Sequence, residues 1–235
     1  MNFVFDIDGT ICFDGQMIAA PIVTAIDALL QRGHDVIFAS ARPIRDMLLV
    51  LPRHYHQLPL IGGNGAFVKQ YGHITSVSFT DETKDALLQL IAAYDVTYLA
   101  DSHWDYAYTG SVTHRIYKQI NIAAANNVPL LQLKPLCKLV LFDPPAPLLQ
   151  ELATLQVVCH VHAGEQLVDI SPRNIRKWHG LQQLGITDYV AFGNDVNDVC
   201  MFEHARDSIC VGGEPLRATK HIARQDVAHT IMQWV

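Results

Sequence analysis

The sequence predicts an α/β fold: one doubly wound parallel sheet, interrupted by a separate α+β insertion. Three observations predict it. Strand-like and helix-like stretches alternate from the first residues onward. Several of the strands are unbroken apolar runs that stop at a small polar or acidic residue, the pattern of a strand buried on both faces. That style holds to about residue 78, disappears through the middle third, and returns from about 165.

Asn2 to Phe5 reads as the first strand. Pro21 to Arg32 reads as a helix, with Ile22, Ile26, Leu29 and Leu30 on one face and Gly33 suited to its stop. Asp35–Ser40 is a second apolar strand, and Pro43 to Leu51 a helix with proline in its first turn. A short strand, a glycine turn and a hairpin around Gly72 follow. The run from Thr80 to Tyr94 is an amphipathic helix with Thr80 as N-cap. Beyond it come a strand at "VTYLA", an aromatic segment "HWDYAY", a helix around Ser111–Ala125, the strand "CKLVLF", a further helix and the strand "VVCHVH". From Leu167 the first style resumes with "LVDISP", a helix, "YVAFG", another helix and "SICVGG". The predicted division is a core of residues 1–78 and 165–235, with an insertion at 79–164.

Half of the 235 residues are hydrophobic, enough for a packed core. The net charge is −6 and no basic run appears, which makes nucleic acid and anionic membrane surfaces poor partners. No apolar stretch approaches the length of a membrane span. Cys12, Cys137, Cys159, Cys200 and Cys210 are scattered without a C-x-x-C pair, and no leader pattern precedes the first strand, so reduced thiols in a cytoplasm are expected. The paired histidines His54/His56 and His160/His162 alternate as on one strand face, but no spacing matches a zinc motif. Trp104, Tyr106 and Tyr108 share one side if their segment is a strand; they are ordinary core or, on the sharper reading, one faces a ligand.

Asp6 and Asp8 end the first strand, two residues apart, and Gly9-Thr10 turns the chain. Such a pair is electrostatically costly without a cation. In a doubly wound sheet the carboxyl ends of the strands share one edge, where ligands bind. Asp6, Asp8, Ser40, Asn194, Asn197 and Asp198 should therefore converge. All are hard oxygen donors, which suits Mg²⁺, and Mg²⁺ beside a strand-end carboxylate suggests phosphoryl transfer. Asp6 would hold the metal and attack phosphorus; Asp8 would serve as acid and then base. Taken singly, Ser40 reads as a helix cap, Lys177 as a solvated helix lysine and "GNDVNDV" as a turn with an N-cap. Only the combination favours a site.

"FDIDGT" resembles the first motif of the haloacid dehalogenase superfamily, and "ASARP" and "NGA" (Asn64–Ala66) resemble signatures of its Cof-type branch. "ISPRNIRK" is similar to the segment that delivers the third-motif lysine, and "GNDVNDVCMF" to the fourth motif, usually G-D-x-x-N-D. The resemblance spans the chain and implies a Rossmann-like core with a type-II α/β cap. It implies Asp6 as nucleophile and Mg²⁺ ligand, and Asp8 as acid/base with its carbonyl on the metal. Lys177 would neutralise Asp6. Ser40, with backbone amides at Gly9, Thr10 and Ala41, would bind phosphate together with Asn197, and Arg42 and Asn64 would border the substrate. Asn194 and Asp198 would complete the metal site, although Asn194 stands where the family carries an acid.

The implied protein is a Mg²⁺-dependent phosphomonoester hydrolase acting on a small phosphorylated metabolite such as a sugar phosphate, as a monomer or small homo-oligomer. Two alternatives stay open on the sequence. One is a non-catalytic phospholigand sensor, supported by Asn194 and opposed by the retained Asp6–Asp8 pair. The other is a phospho-receiver domain, opposed by the chain's length and its insertion.

Overall fold

The computed structural model describes residues 1–162, 164, 166–212 and 216–235. In chain order the strands and helices are β1 (Asn2–Phe5), α1 (Ala20–Gln31), β2 (Asp35–Ala39), α2 (Ile44–Val50), β3 (Leu60–Gly62), β4 (Phe67–Gln70), β5 (His73–Ser76), α3 (Asp81–Tyr94), β6 (Tyr98–Asp101), β7 (Tyr106–Tyr108), β8 (Lys138–Phe142), α4 (Ala146–Leu152), β9 (Val157–His162), β10 (Leu167–Pro172), α5 (Lys177–Gln183), β11 (Tyr189–Gly193), α6 (Val199–Phe202), β12 (Asp207–Val211), β13 (Lys220–Ile222) and α7 (Val227–Met232). They form two compact units, Met1–Ile74 with Lys177–Val235, and Thr75–Arg176.

The first unit holds an eight-stranded sheet in the order β13-β12-β11-β1-β2-β3-β4-β5. The pairs from β13 through β3 are parallel, and β4 joins antiparallel. From β1 the chain moves to β2 and β3 on one side, whereas β11, β12 and β13 fill the other. The boundary between β1 and β11 is thus the switch point, where a doubly wound sheet opens a crevice at its carboxyl edge. Alternation along β1 explains its continuous apolar run. Val4 points into a cluster with Ile37, Leu181, Tyr189 and Met201. Phe3 and Phe5 point the other way, where Phe5 meets Phe192 with ring centroids 4.8 Å apart and Phe38 at 6.3 Å. Phe3, Phe5, Phe38 and Phe192 are all fully buried. Truncating one of them to alanine would cost about 3–5 kcal/mol, so the strands that carry Asp6, Ser40 and Asn194 stand on a firm base.

The second unit is a five-stranded antiparallel sheet, β7-β6-β8-β10-β9. Leu87, Leu90 and Ile91 of α3 and Leu148 and Leu152 of α4 pack on Leu139, Leu141, Val168 and Ile170 of the sheet. Thr80 caps α3 as expected, its hydroxyl accepting from the Thr83 amide at 3.2 Å. Tyr106 and Tyr108 lie in a second apolar cluster with Leu99, Val140 and Phe142, which is the ordinary core role. Trp104 precedes their strand and donates from its indole to the Ala124 carbonyl. The chain is therefore an α/β protein: a parallel-sheet core interrupted by an α+β insertion.

Three local expectations differ from the structure. The expected core of 1–78 and 165–235 instead comprises Met1–Ile74 and Lys177–Val235, the second segment starting late because Leu167–Pro172 is an interior strand of the second sheet, paired with β8 and β9. All six of its residues are buried, so its composition imitates a core strand. The helix expected around Ser111–Ala125 is reduced to a 3₁₀ turn at Tyr117–Gln119. Only Ile120 of its apolar side chains is deeply buried, and the backbone beyond it binds β7 through Asn126 and Val128. His54 and His56 sit in a 3₁₀ turn, Arg53–Gln57, not on a strand. His160 and His162 are on β9 as expected. All five cysteines are free thiols, and among the described residues no helix is long and apolar enough to cross a membrane.

Candidate active site

Asp6 follows β1 directly, and its amide donates to the Phe192 carbonyl at 2.9 Å, which ties the end of β1 to the end of β11. The carboxylate is held on both oxygens. Lys177 Nζ donates to Oδ1 at 2.6 Å, and the Thr10 hydroxyl donates to Oδ2 at 2.8 Å. Burial, and then the neighbouring Asp198, push the Asp6 pKa up to about 7 against the pull of Lys177. These are the costs expected of a carboxylate that needs more positive charge than one lysine provides.

Lys177 opens α5 and is fully buried. It bridges Asp6 and Asp198, reaching each at 2.6 Å. Burial alone would lower its pKa, but the two carboxylates outweigh that and hold it above the ordinary lysine value. The solvated-lysine reading is thereby set aside. Asp198 is fully buried as well. Its Oδ1 accepts from Lys177, and its Oδ2 accepts from the amides of Asn194 and Asp195 at 2.8 and 3.1 Å. Asp198, expected to hold the metal or its waters, anchors Lys177 and folds the loop through these bonds. Asp195 caps the short turn Val196–Asp198, so the turn-and-cap reading of this segment is also correct.

Past Asp6 the chain turns tightly, with the amides of Ile11 and Cys12 both donating to the Ile7 carbonyl. Gly9 takes φ +80°, and a Cβ there would lie 2.4 Å from the Asn194 amide. This close approach is why glycine follows Asp8. The two amides expected to receive phosphate are turned into the loop here, Gly9 donating to the Cys12 carbonyl at 2.8 Å and Thr10 to the Ile7 carbonyl at 3.3 Å, while the buried Thr10 hydroxyl orients the Asp6 carboxylate.

Asp8, two residues on, is gripped by Arg42. Nε and Nη2 of the guanidinium donate to its two oxygens, each at 2.7 Å, and Nη2 also reaches the Gly15 carbonyl. Ser40 directly follows β2, and its hydroxyl accepts from the Arg42 amide at 3.1 Å. Ala41 lies half-buried between them. The Asn64 amide donates to the Ser40 carbonyl, and the Gly63 amide to that of Arg42. Asn64 takes φ +54°, which asparagine tolerates. Its side-chain oxygen accepts from the Asn197 amide at 3.2 Å. Every predicted site residue thus belongs to one connected cluster of the first unit. The bidentate pair Arg42–Asp8 escaped the sequence reading, since nothing in the spacing of 34 residues marks it.

The Asn194 side chain lies among oxygens. In the orientation that satisfies its neighbours, its nitrogen and two hydrogens lie among three acceptors: the Asp8 carbonyl at 2.8 Å, the Thr10 hydroxyl at 2.9 Å and Asp6 Oδ2 at 3.1 Å. Among the described residues no three His, Cys, Asp or Glu side chains form a metal-binding group. The donor set here is different in kind: one carboxylate oxygen, one backbone carbonyl and one carboxamide. Turned about, that carboxamide presents oxygen, and the three hard donors then fit a small hard cation such as Mg²⁺.

Carboxylates gathered at the switch point of a doubly wound sheet make its carboxyl edge the candidate site of this α/β protein. The chain belongs to the haloacid dehalogenase-like hydrolases, whose sequence profile matches residues 3–225. It is 24% identical to an HMP-PP phosphatase of Yersinia enterocolitica, over 98% of this chain and 94% of that one. In structure it is similar to a haloacid dehalogenase-like hydrolase from Bacteroides thetaiotaomicron, with a TM-score of 0.79 and 16% identity over 100% and 99% of the two chains. It is also similar to a haloacid dehalogenase subclass IIB sugar phosphatase, with a TM-score of 0.76 and 17% identity over 99% and 98%.

Proposed function

We propose that this hydrolase is a Mg²⁺-dependent phosphatase of small phosphorylated metabolites that works through a phosphoryl group carried on Asp6. The observation that supports it most is the holding of Asp6. Lys177 and Thr10 fix both carboxylate oxygens at the switch point, with a second carboxylate, Asp8, two residues away. A pinned carboxylate is oriented for attack and loses little freedom on reacting.

In the first step Asp6 attacks phosphorus, the bond to the leaving alcohol breaks, and Asp8 donates a proton to that oxygen. In the second, Asp8 takes a proton from water, which attacks the aspartyl phosphate; inorganic phosphate leaves and Asp6 is restored. Asp6, the Asp8 carbonyl and Asn194 would hold Mg²⁺, which when bound neutralises phosphoryl oxygens. Lys177 contributes positive charge on the same side. Ser40, Ala41, Asn64 and Asn197 line the loops where phosphate would be received. Arg42 holds both Asp8 oxygens and must release one of them for Asp8 to reach the leaving oxygen.

The relatives support the reaction class. One is an HMP-PP phosphatase and one a sugar phosphatase; neither substrate is carried over to this chain. The sensor reading loses ground because a binder has no use for an acid/base, and the receiver reading because the inserted sheet has no counterpart in it. Phosphate release from a panel of phosphorylated metabolites tests the proposal. Turnover that needs Mg²⁺ and stops with EDTA supports it; undiminished turnover in metal-free protein contradicts it.

A further inference from the structure

We infer that the Asn194 carboxamide is a two-position rotor that stands in for the cation when the site is at rest and yields to it when phosphate arrives. The inference rests on the metal-binding reading above and concerns what this chain's departure from the family's acid accomplishes.

The Thr10 hydroxyl has one hydrogen. It lies 2.8 Å from Asp6 Oδ2 and 2.9 Å from the terminal atom of Asn194. The carboxylate is the stronger acceptor, so the hydrogen goes to Asp6, and the Asn194 atom facing Thr10 must be a donor. The same atom is 2.8 Å from the Asp8 carbonyl and 3.1 Å from Asp6 Oδ2, both acceptors. Nitrogen inward therefore places its two hydrogens among three acceptors. Oxygen inward would set four oxygens together with only the Thr10 hydrogen between them, an arrangement that a cation makes favourable. The terminal torsion of asparagine is soft and roughly two-fold, so half a turn exchanges the two states without moving the backbone. The absence of a Cβ on Gly9 leaves the room, since one would lie 2.4 Å from the amide.

Aspartate at 194 would have only the oxygen-inward state. It would bind Mg²⁺ more tightly but leave the metal-free site with another carboxylate facing Asp6. Asparagine lets the metal-free site rest satisfied, so Mg²⁺ must displace an internal donor, and phosphate oxygens help it do so. Metal and phosphate then bind cooperatively, each removing part of the other's cost.

The test compares wild type, Asn194→Asp and Asn194→Ala by thermal unfolding in EDTA and by Mg²⁺ calorimetry with and without inorganic phosphate. In EDTA both variants should melt about 2–8 °C below wild type, through lost hydrogen bonds and, for Asp, added repulsion. Without phosphate, Asn194→Asp should bind Mg²⁺ at least about tenfold more tightly than wild type, and Asn194→Ala should show no such gain. Phosphate should improve Mg²⁺ affinity more in wild type than in Asn194→Asp. An Asn194→Asp protein as stable as wild type in EDTA, or an equal phosphate effect in both, overturns the rotor while leaving the metal site intact. Failure of Mg²⁺ to bind either protein overturns the metal reading and the rotor together.

Discussion

Arg42 holds Asp8 through a two-pronged fork, Nε to Oδ2 and Nη2 to Oδ1, both at 2.7 Å. The guanidinium is nearly buried, whereas the Asp8 side chain is 42% exposed, so the acid faces solvent while its partner is fixed. The fork orients the carboxylate. A phosphate that draws Arg42 toward itself would free the Asp8 oxygens to reach the leaving group.

Arg42→Ala should therefore act on kcat as well as KM, lowering turnover by about 10- to 100-fold through a misplaced acid. Arg42→Lys keeps the charge but not the fork, and should recover only part of that loss. Steady-state kinetics over a range of pH checks this. A change confined to KM would mean that Arg42 only binds substrate.

Asp8→Asn should slow turnover by roughly 10²- to 10⁴-fold, the usual share of acid–base catalysis. Circular dichroism should show an unchanged fold, because Asp8 lies partly exposed at a loop. A variant with near-normal kcat would remove Asp8 from the chemistry.

The raised pKa of Asp6 has a consequence for stability in metal-free protein, and it sets the Asn194 comparison in EDTA at a pH above 7, where Asp6 is a carboxylate. Its folded value, about 7, lies above the ordinary 3.8. Between those values the folded state binds the proton more tightly than the unfolded state, so Asp6 contributes its least stability above pH 7 and progressively more as pH falls toward 4. Asp6→Asn removes this term. In EDTA, the melting temperature of Asp6→Asn relative to wild type should therefore rise as pH increases from about 4 to about 7. A difference independent of pH would show that Asp6 is not the group titrating.

Gly9→Ala should be costly although it adds one methyl group. The residue holds φ +80°, where alanine is strained by about 1–2 kcal/mol, and the new Cβ would meet the Asn194 amide at 2.4 Å. Asn194 can move aside only by leaving the Asp8 carbonyl. Thermal unfolding and Mg²⁺ titration should both show a loss; a protein with normal melting and normal affinity would mean that this close approach is unimportant.

Much of this was legible in the sequence, for physical reasons. Strands buried on both faces must be apolar throughout, so β1, β2 and β11 announced themselves, and the first polar residues beyond them, Asp6, Ser40 and Asn194, mark the carboxyl edge. The same logic misplaced β10: a strand interior to the second sheet is equally buried, and its composition does not say which sheet it joins. The segment around Ser111–Ala125 carries helix-like spacing but little buried surface, and its backbone bonds to β7 instead. Within the site, residue types pointed to the chemistry, but their partners were hidden. Thr10 turned inward to Asp6, Asp198 was committed to Lys177 and two amides, and Arg42 closed on Asp8. Such pairings depend on loop geometry, which spacing along the chain does not encode.

The central claim is that Asp6 carries the phosphoryl group. Asp8→Asn slows breakdown of that intermediate as well as its formation, so brief reaction of this variant with ³²P-labelled substrate, followed by acid quench and peptide mapping, tests the claim most directly. The predicted result is acid-stable label on the peptide containing Asp6, absent when Asp6→Asn is added. Label on a different residue, or retained after Asp6 is replaced, would contradict it.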